Sequence, residues 1–576
     1  MEIKRPWLER YDPGVPHHLE YPDVPLYHFV EEAARKYPNH VALLFKGGKV
    51  SYRELDEQSD RMAAALAKMG VKKGDRVAIL MANCPQFVIS YFAILKAGAV
   101  VVACNPLYAP PELEHQLNDC GAEVMLVMSR FYPMVKGVQA QTKVRKVIVT
   151  NIKEYFPPFL RLLFTLLMEK KEGDRVELAP GDLWFQDVLN SHSPADRPQV
   201  EINPNEDVAI FQYTGGTTGI PKGAMGTHKN LIADSLAIKA YLPDIREPGE
   251  IVLVALPLFH VYGMVAAMTF GLAAAATLIL VPNPRDMDDV LDTINKYRPS
   301  IFPGVPTMYN AINHHPKVLE GKVDIKSIRA CISGSAPLLR ETQIRFEELT
   351  GGNLREGYGL SEAPTASHCN PMLGENREGS IGFPLPDVDA AIVDLETGTR
   401  FLDIGEEGEL VLHGPIVFKG YWQMPTETKN VLRELPDGRV WLFTGDIAKM
   451  DEDGYFYIVD RKKDMIICGG YNVYPREVEE VLMQHPKVLE VAVAGIPDPY
   501  RGETVKAWIV LKPGETATEE EIIEWSKERL AKYKYPRHIE FRDELPKTFV
   551  GKTLRRMLVA EERARAAQAA PGSGSD

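Results

Sequence analysis

Short apolar strands alternating with helices constrain this chain more than any other feature of its sequence. Val77-Ala-Ile-Leu-Met81 reads as a buried strand, Cys84-Pro-Gln-Phe opens an apolar helix ending at Ala97 before Gly98, and Val100-Val-Val-Ala-Cys104 is the next strand. The rhythm continues at residues 124–128 and 147–150. Strands that are apolar throughout need cover on both faces, and the intervening helices supply it; the pattern predicts mainly parallel α/β layers. Residues 253–304 repeat the theme with an apolar Ala/Met-rich helix and a strand at 277–281. The fold class is therefore α/β, with a large N-terminal domain of two α/β layered halves.

Later segments change character. Residues 405–459 are strand-rich with Gly/Asp turns such as Asp437-Gly438 and Asp453-Gly454, which predicts a small β-barrel unit. After 460–464 the chain restarts as a small, mobile α+β domain: helix 476–484, strands 488–495 and 504–511, helix 519–530, strand 538–542. The expected division is a large domain over 1–460, a hinge at 461–464, a small C-terminal domain over 465–562 and a flexible tail over 563–576. The first 25 residues read as an arm, and residues 26–70 as helical around a hairpin-like stretch at 42–52.

At 576 residues the chain exceeds one ordinary domain. Its net charge of −13 argues against nucleic acid as a partner. Six scattered cysteines without C-x-x-C spacing fit a reducing cytoplasm and no structural metal. The N-terminus shows no apolar signal region. Residues 155–168, Tyr-Phe-Pro-Pro-Phe-Leu-Arg-Leu-Leu-Phe-Thr-Leu-Leu-Met, depart from the α/β rhythm and are too short to span a bilayer. Two readings stand: a helix packed on the body, or a segment lying on a membrane surface.

Tyr213-Thr-Gly-Gly-Thr-Thr-Gly-Ile-Pro-Lys-Gly223 packs four glycines, three threonines and a lysine into eleven residues. Glycines let backbone N–H groups approach an anion, and hydroxyls and an ammonium add donors. Pro221 before Lys222 excludes a Walker A loop. A strand-like stretch before it and a helical pattern from Asn230 place it as a strand-to-helix anion loop; a plain Gly/Thr turn is the bland alternative.

This segment resembles the phosphate loop of the adenylate-forming superfamily of acyl-CoA synthetases, peptide-synthetase adenylation domains and luciferases. Further motifs follow in order: Leu256-Pro-Leu-Phe-His-Val-Tyr-Gly263, Gly334-Ser-Ala-Pro-Leu338, Glu356-Gly-Tyr-Gly-Leu-Ser-Glu362 and Thr444-Gly-Asp446. Then come Asp460-Arg-Lys-Lys-Asp464, Gly469-Gly-Tyr-Asn-Val-Tyr-Pro475 and Pro546-Lys-Thr-Phe-Val-Gly-Lys552. The resemblance covers about residues 25 to 560 and is nearest to long-chain fatty-acyl-CoA synthetases.

That resemblance implies a two-step reaction with ATP, Mg²⁺ and coenzyme A: a fatty carboxylate forms an acyl-adenylate, then a thioester. It assigns Thr214, Gly215, Gly216, Thr217, Thr218, Gly219 and Lys222 to the β- and γ-phosphates, and Thr214 with Glu362 to the metal. Gly334, Ser335, Ala336, Glu356, Gly357, Tyr358, Gly359 and Ser361 fall to the adenine pocket. Asp446 is assigned to the ribose and Arg461 to ribose or phosphate. Taken alone, Glu362 reads as a capping acid, Tyr358 as a core aromatic, Asp446 as a turn residue and Arg461 as an ion-pair partner of Asp464. His260 falls near the carboxylate, orienting rather than acting as a base, since a fatty acid is already ionised. Lys552 is implied to bridge carboxylate and α-phosphate from the small domain, with Lys463 at the hinge and Gly469, Gly470 and Tyr471 on the coenzyme A side. Cys468 stands where related chains often have serine. Residues 264–276 are apolar and small, suiting either an acyl tunnel or close helix–sheet packing.

The expected activity is that of a long-chain fatty-acid–CoA ligase. Competing readings are a medium-chain or aryl acid–CoA ligase, a fatty acyl-AMP ligase and a non-catalytic lipid binder. Peripheral membrane contact and a homodimer complete the expectations.

Overall fold

The computed structural model describes residues 3–214, 221–242, 244–468, 471–498, 501–547 and 553–569, the last four of these by backbone alone. The alternating segments form one sheet of eight strands. Its centre is parallel: Val100–Ala103, Arg76–Leu80, Val124–Met128 and Lys146–Thr150 lie side by side in that order. All of these are buried except Arg76 and Lys146 at the strand starts, as strands covered by helices on both faces require. Val208–Thr214 joins the Val100–Ala103 edge in parallel.

The second half builds on Ile251–Val254, Thr277–Leu280 and Val41–Phe45, again parallel neighbours, with Gly48–Ser51 closing the expected hairpin. Isolated bridges through Ile301 carry this sheet to Ala330–Ser333, Asn353–Leu360 and Ala363–Cys369. The Ala/Met-rich helical stretch, with a π-helical turn at Met264–Thr269, is buried from Met264 to Leu272. A Cβ at Gly271 would lie 2.5 Å from Leu278 Cδ2, so this stretch is pressed onto the sheet. Close packing is the reading the geometry favours.

The turn-rich stretch forms an antiparallel sheet of Asp389–Val393, Gly408–His413, Val440–Met450, Leu432–Glu434 and Phe456–Arg461, whose ladders branch at Val440–Met450. The N-terminal arm is tied to it: Trp7 is buried edge-on to Phe456, and Arg5 pairs with Asp389 at 2.5 Å. The smaller C-terminal unit has its own sheet, centred on Gly502–Leu511 and Val488–Asp498, and its own core. Its last helix runs Arg555–Ala569, so helix continues past residue 563, where the sequence suggested a tail.

Candidate functional site

The glycine-rich segment is not a strand-to-helix loop. Lys222–Thr227 is a strand that pairs antiparallel with Val208–Thr214, with Thr214 opposite Lys222 and Tyr213 opposite Gly223. Val208–Thr214 and Lys222–Thr227 are therefore the two arms of a β-hairpin. Gly215, Gly216, Thr217, Thr218 and Gly219 lie outside the described residues. Gly223 has a packing reason: a Cβ there would sit 3.3 Å from the Tyr213 ring and 3.5 Å from Trp422 Cβ.

A short strand, Gly420–Tyr421, lies along the outer edge of this hairpin. Trp422 N donates to Gly223 O at 2.8 Å, and Phe418 N donates to Glu362 O at 2.9 Å. One segment thus fixes both the hairpin and the Glu362 turn. Tyr421 Oη donates to Glu362 Oε1 at 2.6 Å. Burial, with the Glu362 charge, pushes the Tyr421 phenol well above its usual range, so it remains a donor. The Lys222 ammonium pairs with Glu427, on helix Pro425–Val431, and lies 5.3 Å from the centroid of the Tyr421 ring.

The nucleoside motifs gather at the ends of adjacent strands. Gly334 follows Ala330–Ser333, and a Cβ there would lie 3.1 Å from the Tyr262 ring. Ser335 is exposed with φ +71°, a left-handed backbone rarely taken by non-glycine residues and frequent at functional positions. Ala336 is half-buried beside it. Glu356 is buried, and its Oε2 accepts from Leu338 N at 3.2 Å, which ties the two motifs together. Burial pushes the Glu356 carboxyl up to about 7. Gly357 packs on Ile332, and a Cβ at Gly359 would lie 1.4 Å from Thr365 O, so no side chain fits there. Ser361 and Glu362 form the half-buried turn between Asn353–Leu360 and Ala363–Cys369.

Tyr358 donates its hydroxyl to Asp446, and its ring meets His368 edge-on at 5.9 Å. Asp446 is 3% exposed, and its Oδ1 pairs with Arg461 Nε at 2.9 Å. The expected partner of Arg461 was Asp464; that carboxylate pairs instead with Arg555 at 3.4 Å. The Asp446 charge holds the Arg461 guanidinium above its usual range. Burial, then the Arg461 charge, lowers the Lys463 ammonium, and the Glu362 and Asp446 charges act on both cations. Thr444, Gly445, Arg461, Lys462 and Lys463 line a cleft of about 250 Å³ at this end.

His260 Nδ1 accepts from Tyr262 N at 3.2 Å, which puts the ring proton of the neutral form on Nε2. Burial lowers its pKa to about 4, so the imidazole is neutral at pH 7 and offers an N–H donor. Tyr262 Oη in turn donates to Ile332 O at 2.7 Å, linking the His260 segment to the strand that delivers Gly334.

On the small unit, Cys468 is buried in the core, and Tyr471 is 59% exposed, stacked on Tyr533 at 4.7 Å. Gly469, Gly470 and Lys552 lie outside the described residues. Arg476 bridges the units, its N donating to Asp460 Oδ2 at 2.8 Å and its Nη1 to Ile458 O at 2.9 Å.

Sequence reasoning missed Tyr421 and Glu427. Gly420-Tyr-Trp and Pro425-Thr-Glu carry no spacing that points to the hairpin some 200 residues earlier. For Mg²⁺, one hydroxyl from Thr214 and one carboxylate from Glu362 are hard oxygen donors that suit an ion whose other positions go to phosphate and water. No group of three or more His, Cys, Asp or Glu able to hold a metal occurs among the described residues, so a site made of protein alone is not formed there.

Residues 30–422 match a family model described as AMP-binding enzyme, and residues 477–552 match one described as AMP-binding enzyme C-terminal domain. A long-chain-fatty-acid–CoA ligase of Bacillus subtilis (strain 168) is 44% identical over 562 residues, covering 98% of this chain and 99% of that protein. One from Escherichia coli O157:H7 is 38% identical over 569 residues, covering 98% and 99%. Among solved structures, ATP-bound MatB from Rhodopseudomonas palustris superimposes with a TM-score of 0.80 at 31% identity, over 94% of this chain and 99% of that one. With both models matched in chain order and relatives aligned end to end, the chain belongs to the AMP-binding enzyme family.

Proposed function

We infer that this chain is an AMP-forming long-chain fatty-acid–CoA ligase. Supporting this is the linkage of Thr214, Lys222, Glu362, Tyr358, Asp446 and Arg461 through strand pairing and side-chain contacts, in a chain that aligns end to end with ligases of that name. The fatty carboxylate oxygen attacks the α-phosphorus of ATP, and the bond to pyrophosphate breaks. The thiol sulfur of coenzyme A then attacks the acyl carbon, and AMP departs.

Two anions meet in the first step, so catalysis needs positive charge and fixed donors where charge develops. Mg²⁺ held by Thr214 and Glu362 would supply charge neutralisation across the phosphates. Asp446 accepts from the ribose hydroxyls through lone pairs that Tyr358 and Arg461 leave open. His260 offers Nε2–H to the carboxylate or α-phosphate and removes no proton. Lys552 bridges those same groups from the small domain, which pivots at residues 461–464 about Lys463 and then presents Gly469, Gly470 and Tyr471 to coenzyme A. Assaying AMP and acyl-CoA over fatty acids of graded length, with medium-chain and aryl acids alongside, tests the assignment; turnover confined to the latter two overturns it. Lys552→Ala is expected to abolish adenylate formation while sparing thioester formation from supplied acyl-adenylate. Equal loss of both steps would sink that role.

No helix among the described residues is long and apolar enough to cross a membrane. Helix Pro158–Leu167 instead supports peripheral contact. Phe159, Leu162, Leu166 and Leu167 are 76, 58, 70 and 65% exposed, and the exposed Lys170 and Lys171 follow. Such a face suits the boundary of an anionic bilayer, where fatty acids partition. Co-sedimentation with phosphatidylglycerol vesicles is expected to fall on Leu166→Ser, and unchanged binding excludes this helix.

A further inference from the structure

Lys222 has two partners of different kinds. Glu427 neutralises it, whereas the face of Tyr421, 5.3 Å away, attracts a cation without cancelling its charge. Both partners are held firmly. Tyr421 N donates to Thr428 Oγ1 at 2.9 Å, so the helix carrying Glu427 is fixed to the strand carrying Tyr421. Gly420 makes this possible: its φ of +132° suits glycine, and a Cβ there would lie 2.6 Å from Thr428 Cγ2. The Glu427 side chain is 43% exposed and that of Lys222 18%, so the pair sits at the mouth of the hairpin rather than in the core.

We propose that Glu427 is a positioning residue that competes with the β- and γ-phosphates for Lys222 and reclaims the lysine as pyrophosphate leaves. A polyphosphate reaching the hairpin has to draw the ammonium away from the carboxylate. The Tyr421 ring keeps the ammonium aimed at the hairpin while that exchange occurs. When the bond to the α-phosphorus has broken, Glu427 recaptures Lys222 and lowers the affinity for the product. Glu427 thus trades ATP affinity for pyrophosphate release. No covalent step or added reactant is involved.

The effect is confined to ligands that carry β- and γ-phosphates, which separates it from a merely structural role. Exposed or half-exposed ion pairs are worth at most about 1 kcal/mol, so removing the competitor is expected to tighten ATP and pyrophosphate binding by roughly two- to fivefold. AMP affinity stays the same. The experiment is calorimetric titration of the full chain and its Glu427→Gln variant with ATP, pyrophosphate and AMP, each with Mg²⁺, with melting curves as a check on folding. Glu427→Ala serves as the second variant if the amide perturbs the helix. ATP and pyrophosphate affinities that do not move, or a weakening of all three ligands together, would overturn the proposal. It rests on the hairpin being the polyphosphate side of the site. Failure of that reading shows separately, as wild-type protein that binds ATP no differently from AMP.

Discussion

The two ends of the nucleotide site are built differently. At the nucleoside end, Asp446 is buried and engaged on both oxygens, by Tyr358 and by Arg461, and Gly357 and Gly359 leave no room for a side chain. At the polyphosphate end, Lys222 and Glu427 pair near the surface at the base of a hairpin. The first end is pre-organised: its groups already occupy the positions from which they act, and little ordering is left to binding. The second is exchangeable, because its cation already has a counter-ion that a ligand must displace. An enzyme that keeps AMP through a second step but must expel pyrophosphate after the first has use for this asymmetry.

Asp446→Ala tests the contrast most severely. It removes the ribose acceptor and leaves Arg461 without its buried partner, a loss of about 3–5 kcal/mol for broken buried pairs. Adenylate formation is expected to fall by two to three orders of magnitude, with AMP affinity falling and pyrophosphate affinity holding. A parallel loss of pyrophosphate binding would mean that the two ends are a single unit. Next in size, Tyr421→Phe removes the donor to Glu362. The Mg²⁺ dependence of ATP–pyrophosphate exchange should shift by about tenfold to higher metal, in line with a hydrogen bond to a charged group. AMP binding should not move.

A separate test reads stability rather than binding, through its pH dependence. Folding raises the Glu356 carboxyl from 4.5 to about 7 by burial. Between those values the folded protein binds more protons than the unfolded chain, so stability falls as pH rises through that window and stays lower above it. Glu356→Gln keeps an acceptor for Leu338 N and is expected to flatten that slope, with a gain on the order of 2 kcal/mol at pH 8. Melting curves from pH 5 to 8 that keep the wild-type slope would show that Glu356 is not its source.

Much of this was legible in the sequence because the information was local. The runs at 77–81 and 124–128 are apolar at every position, which only a covered strand tolerates. The hairpin was not legible. Lys222–Thr227 reads Lys-Gly-Ala-Met-Gly-Thr, with neither β-branched enrichment nor clean alternation. It becomes a strand because Val208–Thr214 lies on one side and Gly420–Tyr421 on the other. Glu427 and Tyr421 were missed for the same reason: their meaning depends on a partner some 200 residues away. The two apolar helices show the same limit. Residues 264–272 and 158–167 are both rich in apolar side chains, yet the first is buried and the second exposed. The Gly271 contact with Leu278 shows what lets the first approach its sheet closely.

The strand Gly420–Tyr421 has a consequence for which changes of chain length the protein can accept. Successive side chains of a strand point to opposite faces, so a shift by one residue changes face rather than distance. Deleting one residue from 416–419 while the ladder to Lys222–Thr227 persists would place Trp422 where Tyr421 now meets Glu362. The metal-side carboxylate would lose its hydroxyl donor, since an indole carries no O–H, while the lysine would meet a differently shaped ring. In this stretch the number of residues matters as much as their identity.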